Sequence, residues 1–223
     1  MAKQGAMEWH GVNRRESLPG DELRVRDEVA DLARRGAWSA LVDALSCSPW
    51  LANTWQPGDP SLVSPLHSAA RAGAPAEVVE RLIELGAWRT LRCAAGDRAV
   101  DVARRCDHQR LAGLLEPAIA RPVPPDLVRE LERHFHGVIE ERARALVDEH
   151  ALRLPALEPL TEHESVGVWF PIPGMSGGFA YKLADHGTAP RLITTSWSLA
   201  ISGSGQWHEI TPDGSRLVAK GFL

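Results

Sequence analysis

The chain has 223 residues, of which 44% are hydrophobic and 24% are charged, and its net charge is −4 at pH 7. This composition is typical of a globular protein with one large or two small domains. The negative charge argues against a protein that binds nucleic acid or an anionic membrane through bulk electrostatics, so neither partner is expected. No run of about 18 apolar residues occurs, and residues 1–20 lack the apolar core of a signal peptide.

The cysteines and histidines do not have the spacing of a metal site or a disulfide framework. Cys47, Cys93 and Cys106 include no CxxC pair and are odd in number, which favours reduced thiols and a cytoplasmic location. His134 and His136 are two residues apart on a predicted helix and cannot share a metal ion. We therefore expect neither a metal ion nor a cofactor.

Three segments of the first half align with one another, after an N-terminal extension over residues 1–20. They are "DLARRGAWSALVDAL", "SAARAGAPAEVVERLIELGA" and "DVARRCDHQRLAGLLEP". The aligned alanines are Ala33, Ala70 and Ala103, so the spacings are 37 and 33 residues. A period near 33 residues is typical of helix-pair repeats.

The middle segment, residues 64–87, supplies the clearest motif. "SPLHSAARAG" followed by "VVERLIELGA" has a capping serine at Ser64, a proline at the first helical position, and glycines that end both helices. This segment resembles the ankyrin repeat. The resemblance implies that His67 is structural and forms hydrogen bonds between repeat turns. In the third segment, Cys106 stands in place of the turn glycine.

The resemblance to bacterial ankyrin-repeat proteins covers residues 21–118 as about three repeats, and the outer copies diverge as capping repeats tend to. It implies a scaffold that binds a protein partner and performs no chemistry. Its protruding loops and inner helices would form the contact surface, which makes Trp55, Trp88, Arg89 and Arg92 the candidate partner-binding residues. The alternative for each tryptophan is packing within the protein itself.

Residues 119–223 have a different pattern and are predicted to form a second domain of no recognised function. After the proline-rich boundary at 117–125, "DLVRELERHFHGVIEERARALVDEH" has apolar residues on one helical face. Short β-branched and aromatic runs follow from Val166, separated by turn sequences. A long helix packed on a four- or five-stranded antiparallel β-meander is expected, so the predicted fold class is α+β.

Gly174–Gly178 spells G-x-S-x-G, the sequence form of the nucleophile elbow of α/β-hydrolases. Asp185, His186 and His208 follow Ser176 in the chain order of such a triad. The elbow, however, requires a helix after the serine, whereas "FAYKL" alternates like a strand. We therefore predict a β-hairpin turn at Ser176 and no catalytic residue in the chain.

The expected function is a cytoplasmic, non-catalytic adaptor or regulator that binds a protein partner, with a monomer favoured over an obligate oligomer. An alternative from a different class is a small enzyme or ligand-binding C-terminal domain that the ankyrin array positions. Its pocket would lie between helix and sheet and be lined by Trp169, Tyr181, Trp197 and His208. In a third possibility, the C-terminal domain only covers the end of the array.

Overall fold

The computed structural model describes residues 7–184, 189–199 and 204–221. The chain divides into two compact units, and the first, residues 13–118, is called the helical unit. The second, called the helix–sheet unit, combines residues 7–12 with the chain from residue 119. The described residues form seven α-helices and one six-stranded mixed sheet, which confirms the α+β class. Within these ranges, every helix is too short or too polar to cross a membrane.

The helical unit contains three helix pairs that stack in two rows. The first helices of the pairs, α1, α3 and α5, pack side by side in one row, and the second helices, α2, α4 and α6, form the other. The helices span Gly20–Arg35 (α1), Trp38–Cys47 (α2), Pro65–Ala72 (α3), Ala76–Glu84 (α4), Ala99–Arg105 (α5) and Gln109–Leu115 (α6).

Small residues and left-handed turns fix the spacing within this stack. The repeated alanines Ala33, Ala70 and Ala103 are buried in one apolar core with the leucines of the second helices, because a methyl side chain lets helices approach closely. Gly36 (φ 69°) and Gly73 (φ 63°) end the first two inner helices. In the third pair the left-handed residue is Asp107 (φ 61°) rather than Cys106, the predicted position.

His67 forms the hydrogen bonds between repeat turns that the resemblance implied. Its Nδ1 lies 2.7 Å from Ser64 Oγ, and its Nε2 lies 3.1 Å from the carbonyl oxygen of Asp97 in the next pair. The expected capping bond from Ser64 to a helix N–H is absent, because the hydroxyl is engaged by the imidazole. The side chain of His67 is buried and structural.

Asn53 forms a second connection between turns that are distant in sequence. Its Nδ2 donates to the carbonyl oxygen of Gly86, and its Oδ1 accepts from the backbone N–H of Trp88, both at 2.8 Å. One amide side chain therefore holds both sides of the turn that ends α4, where Gly86 adopts φ 95°.

Replacing Asn53 with alanine is expected to lower the free energy of unfolding of the helical unit by about 2 kcal/mol. The reason is the loss of two hydrogen bonds and the N–H of Trp88 left without its acceptor. Urea unfolding followed by far-UV circular dichroism measures this loss. Asn53→Asp keeps the acceptor but not the donor, so an intermediate loss is expected. Equal stability of wild type and Asn53→Ala would contradict the role of the amide.

The helix–sheet unit is a meander covered by one long helix. Its six strands are hydrogen-bonded in sequence order, with β2 to β6 antiparallel and β1 parallel to β2. The elements span Met7–Glu8 (β1), Pro125–Glu149 (α7), Val168–Ile172 (β2), Gly177–Leu183 (β3), Leu192–Ser198 (β4), Ser204–Thr211 (β5) and Gly214–Gly221 (β6). The predicted meander and long helix are confirmed, and β1 is an additional strand.

One side of the sheet faces α7, and its character changes from β2 to β6. Near β2 and β3 this side is apolar: the ring centroid of Phe135 on α7 lies 4.9 Å from that of Tyr181 and 6.2 Å from that of Phe179. Continuing across the sheet, the residues paired in register with Tyr181 are Thr194 and then His208. The helix therefore covers an apolar core at one edge and polar side chains at the other.

Residues 7–11 belong to the helix–sheet unit and not to a separate N-terminal extension. Besides the pairing of β1, the indole N–H of Trp9 donates to the carbonyl oxygen of Arg153, and the N–H of Arg153 donates to the carbonyl oxygen of Gly11, both at 2.8 Å. Trp9 is buried. A two-residue strand is too short to carry an alternating pattern, so the sequence did not reveal it.

The segment Gly174–Gly178 is the β2–β3 hairpin, as predicted. Gly174 (φ 77°) and Ser176 (φ 48°) occupy the turn, and β3 begins at Gly177 with no helix behind the serine. The exposed Ser176 therefore lacks the helix N-terminus that a nucleophile elbow needs. Asp185 and His186, the other members of the considered triad, lie outside the described residues.

Candidate functional site

A groove of about 210 Å³ lies on the helical unit between α1 and α3. The segment of residues 54–63, which connects the first pair to the second, forms its third side. Val29 and Ala33 of α1 and Pro65 of α3 contribute apolar surface, while Gln56, Asp59 and Ser68 contribute polar groups. The groove thus combines an apolar floor with hydrogen-bonding walls.

Two arginines in equivalent positions of the repeat line this groove. Arg34 follows Ala33 in the last turn of α1, and Arg71 follows Ala70 in the last turn of α3. The guanidinium of Arg34 lies 2.9 Å from Gln56 Oε1, whereas that of Arg71 has no partner among the described residues. A cation in the last helical turn also stabilises the helix dipole. The N–H donors of the Arg71 guanidinium are nevertheless available to bind a ligand.

The wall beneath the groove contains a buried charge. The side chain of Arg26 on α1 is fully buried, with its guanidinium carbon 5.5 Å from the ring centroid of Trp55 and Nη1 3.7 Å from Glu22 Oε1. Burial lowers the pKa of Arg26 to about 10, although the carboxylate of Glu22 opposes this shift. The side chain remains protonated at neutral pH.

The four predicted partner-binding residues do not form one exposed surface. Trp55 lines the groove but is only 3% exposed, and its indole N–H donates to Asn13 Oδ1 at 2.9 Å. Trp88 is also buried, and the half-buried Arg89 and exposed Arg92 do not line the groove. The role of Trp55 and Trp88 as exposed anchors was wrong, because both indoles pack inside the protein.

A cavity of about 440 Å³ lies in the helix–sheet unit between α7 and the strands β5 and β6. It is here called the α7 cavity. Its lining combines polar and apolar surface in about equal parts and comprises Val138, Glu141, Arg142, Ser204, Gln206, His208, Ser215, Leu217 and Lys220. The polar half of the sheet described above forms its floor.

Two lining side chains carry buried polar atoms without a hydrogen-bond partner among the described residues. Arg142 Nη2 donates to the carbonyl oxygen of Ser204 at 2.5 Å, but Arg142 Nε is buried and unpaired. His208 is 8% exposed, and its Nδ1 is unpaired. Burial lowers the pKa of both groups; for His208 the carboxylate of Glu141 opposes the shift, and the charge of Arg142 adds to it. The imidazole is therefore neutral at pH 7.

The predicted pocket of Trp169, Tyr181, Trp197 and His208 is divided between the two faces of the sheet. Tyr181 and His208 face α7, and successive strand residues alternate between faces. Trp169 and Trp197 lie on the opposite face, where their rings stack with centroids 4.3 Å apart and an interplanar angle of 15°. Only His208 of the four lines the α7 cavity, so the composition of that pocket was wrong.

Sequence reasoning missed the groove arginines and most of the cavity lining. The arginines had a signal, because Ala-Arg recurs in all three aligned segments at Arg34, Arg71 and Arg104. The lining of the α7 cavity had none. Its side chains come from one helix and two strands, and the register between those strands decides which residues share a face.

The metal-ligating residue types are scattered. Among the described residues, no group of three or more histidine, cysteine, aspartate or glutamate side chains is placed to hold a metal ion. Cys47, Cys93 and Cys106 are free thiols. No family model matches the chain, and no curated protein matches it. The groove and the α7 cavity are the two candidate sites in the part of the chain that the structure describes.

Proposed function

We propose that the helical unit is an ankyrin-type module that binds an extended, acidic segment of a protein partner in the groove between α1 and α3. The observation that carries the proposal is the pair of equivalent arginines, Arg34 and Arg71, at the edge of an apolar-floored groove. The proposed role is that of a non-catalytic adaptor or regulator.

The stacked inner helices support an extended ligand in particular. Equivalent residues of neighbouring repeats are arranged in a row along such a stack, so Arg34, Arg71 and Arg104 form a series of positive charges. Arg104 is paired with Glu116 at 2.6 Å and does not line the groove, and Arg34 is 3.5 Å from Asp31 Oδ1, which leaves Arg71 as the strongest candidate contact. Guanidinium groups bind carboxylates through two parallel hydrogen bonds, which favours acidic side chains in the partner.

The location and the class of activity are part of the same proposal. The three free thiols support a cytoplasmic protein, because disulfides form in oxidising compartments. The exposed hairpin position of Ser176 and the structural role of His67 support a binding function over catalysis. The proposed partner is a protein, and a monomer can present the groove without a second copy.

Charge reversal in the groove tests the proposal. Full-length protein carrying Arg34→Glu and Arg71→Glu is expected to capture at least tenfold less of each partner from a cytosolic extract than the wild type does. The reason is that attraction to the partner's carboxylates becomes repulsion, a change on the order of a few kcal/mol in binding free energy. Quantitative mass spectrometry of the captured proteins measures the ratio. Recovery of wild-type partners should also fall as the salt concentration rises.

The matched control is Arg110→Glu, a charge reversal at an exposed arginine on α6, in the other row of helices. This variant is expected to retain the wild-type partners. If the same proteins are captured equally by the wild type, the double variant and the control, the groove is not the binding surface. If the segments through which the captured partners bind are basic rather than acidic, the proposed chemistry is contradicted.

A further inference from the structure

We propose that the α7 cavity is a binding site for a small hydroxylated anion, such as a sugar phosphate or a sugar acid, whose anionic group binds Arg142. This site lies in the helix–sheet unit and is independent of the groove. Three features of the cavity support this site: an arginine without a carboxylate partner, unpaired polar atoms, and the composition of the lining.

The charge of Arg142 has no carboxylate partner among the described residues. Its guanidinium contacts the carbonyl oxygen and hydroxyl of Ser204, at 2.5 and 3.3 Å, and forms no ion pair with a described carboxylate. Glu141 is adjacent in sequence but exposed, so its carboxylate is hydrated. Lys220, which is also exposed, adds a second cation, so the lining holds two cations and one carboxylate. The half-buried guanidinium of Arg142 can form charge-assisted hydrogen bonds to a bound anion.

Two unpaired polar atoms belong to side chains that line the same cavity, and a third lies on the neighbouring strand. His208 Nδ1 and Arg142 Nε are buried without partners, and so is the hydroxyl of Ser196 on β4. Ser196 pairs in register with Gln206, which itself lines the cavity two residues from His208. Buried polar groups are nearly always hydrogen-bonded, so two exceptions on side chains that line one cavity point to a ligand that binds there.

The remaining lining groups select a hydroxylated ligand over an apolar one. Ser204, Ser215, Gln206 and the neutral His208 both donate and accept hydrogen bonds, as ligand hydroxyl groups do. Only Val138 and Leu217 contribute aliphatic side chains. A volume of about 440 Å³ accommodates a molecule of the size of a hexose phosphate and leaves room for water.

The test is a titration of the full-length protein, selectively labelled on histidine side chains with ¹⁵N and observed by NMR. The probes are glucose 6-phosphate, ribose 5-phosphate, gluconate, glucuronate, neutral glucose and inorganic phosphate. At least one of the four hydroxylated anions is expected to shift the His208 ring signals at millimolar concentration or below. Glucose and inorganic phosphate should bind roughly tenfold more weakly than that probe, since each lacks half of the recognised groups.

Variants identify the side chains responsible. Arg142→Gln is expected to weaken binding tenfold or more. Arg142→Lys should weaken it less, because lysine keeps the positive charge but lacks the two parallel N–H donors of the guanidinium. Arg144→Gln is the matched control: Arg144 is on the same helix but exposed and paired with Glu140 at 2.6 Å, so affinity should not change.

Three results would overturn the inference. In the first, none of the four anions shifts His208 below about 10 mM, a concentration at which sites with several charge-assisted hydrogen bonds are occupied. In the second, Arg142→Gln binds as tightly as Arg144→Gln. In the third, inorganic phosphate binds as tightly as the best probe, which would leave a bare anion site. Charge reversal at Arg34 and Arg71 should leave every titration unchanged, so the groove proposal can fail separately.

Discussion

Gly178→Ala is expected to lower the free energy of unfolding of the helix–sheet unit by about 3 kcal/mol, although it adds a single methyl group. A Cβ atom at this position would lie well inside van der Waals contact of the Phe170 carbonyl oxygen on β2. It would also lie 2.8 Å from the ring of Trp169. Backbone atoms of a paired strand cannot move aside without breaking the ladder, so the overlap must be relieved by separating β2 from β3.

The same substitution should also disturb the opposite face of the sheet. The indole of Trp169 covers the bare backbone of Gly178 and stacks on Trp197, as aromatic side chains do over strand glycines. A methyl group would displace Trp169 from this stack. Near-UV circular dichroism, which is sensitive to two stacked indoles, should lose intensity together with the loss of stability in urea.

Two glycines supply matched controls for this experiment. A Cβ atom at Gly137 on α7 or at Gly167 before β2 meets no heavy atom within 4 Å. Gly137→Ala is expected to stabilise by up to about 1 kcal/mol because alanine has the higher helix propensity, and Gly167→Ala should be close to neutral. Equal stability of Gly178→Ala and Gly137→Ala would contradict the close approach of β2 and β3.

Arg26→Ala is expected to destabilise the helical unit by about 3 kcal/mol. The truncation removes a fully buried side chain, leaves a void beside Trp55 and deprives Glu22 of its cation. Thermal or urea unfolding of the full chain measures the change. Because Arg26 and Trp55 both line the groove, partner capture should fall together with stability.

Arg26→Met distinguishes packing from charge. Methionine fills most of the same volume without a charge, and Glu22, whose side chain is 29% exposed, can be hydrated once its cation is removed. Arg26→Met is therefore expected to unfold within about 1 kcal/mol of wild type. If Arg26→Met is as destabilising as Arg26→Ala, then Arg26 stabilises the helical unit through its interactions with Glu22 and the Trp55 ring and not through the volume that it fills.

Local patterns predicted the elements of the fold well. The repeat of Ala33, Ala70 and Ala103 indicated paired helices. An alanine at the contact lets two helices approach closely, and a glycine after it adopts the left-handed conformation that ends the helix. His67 and the hairpin at Ser176 were also interpreted correctly, since both depend on residues within one motif. These features are encoded over short stretches of chain.

Features that depend on distant parts of the chain were not predictable from the sequence. Trp55 and Trp88 were assigned to exposed loops, but whether a loop tryptophan is buried depends on what packs over it. Trp197 and His208 were grouped in one pocket, whereas strand register places them on opposite faces. Arg26 gave no sign of burial, because an arginine on an amphipathic helix is normally exposed.

The position of β1 determines the order in which the protein can fold during synthesis. Met7 pairs with Val168, so this strand must wait for its partner until about 160 further residues have been made. At typical elongation rates that interval is roughly 8 to 30 seconds. The helical unit has all of its residues well before then and can fold first. Pairing of β1 with β2 then closes a very long loop, and the entropic cost of closing a loop grows only slowly with its length.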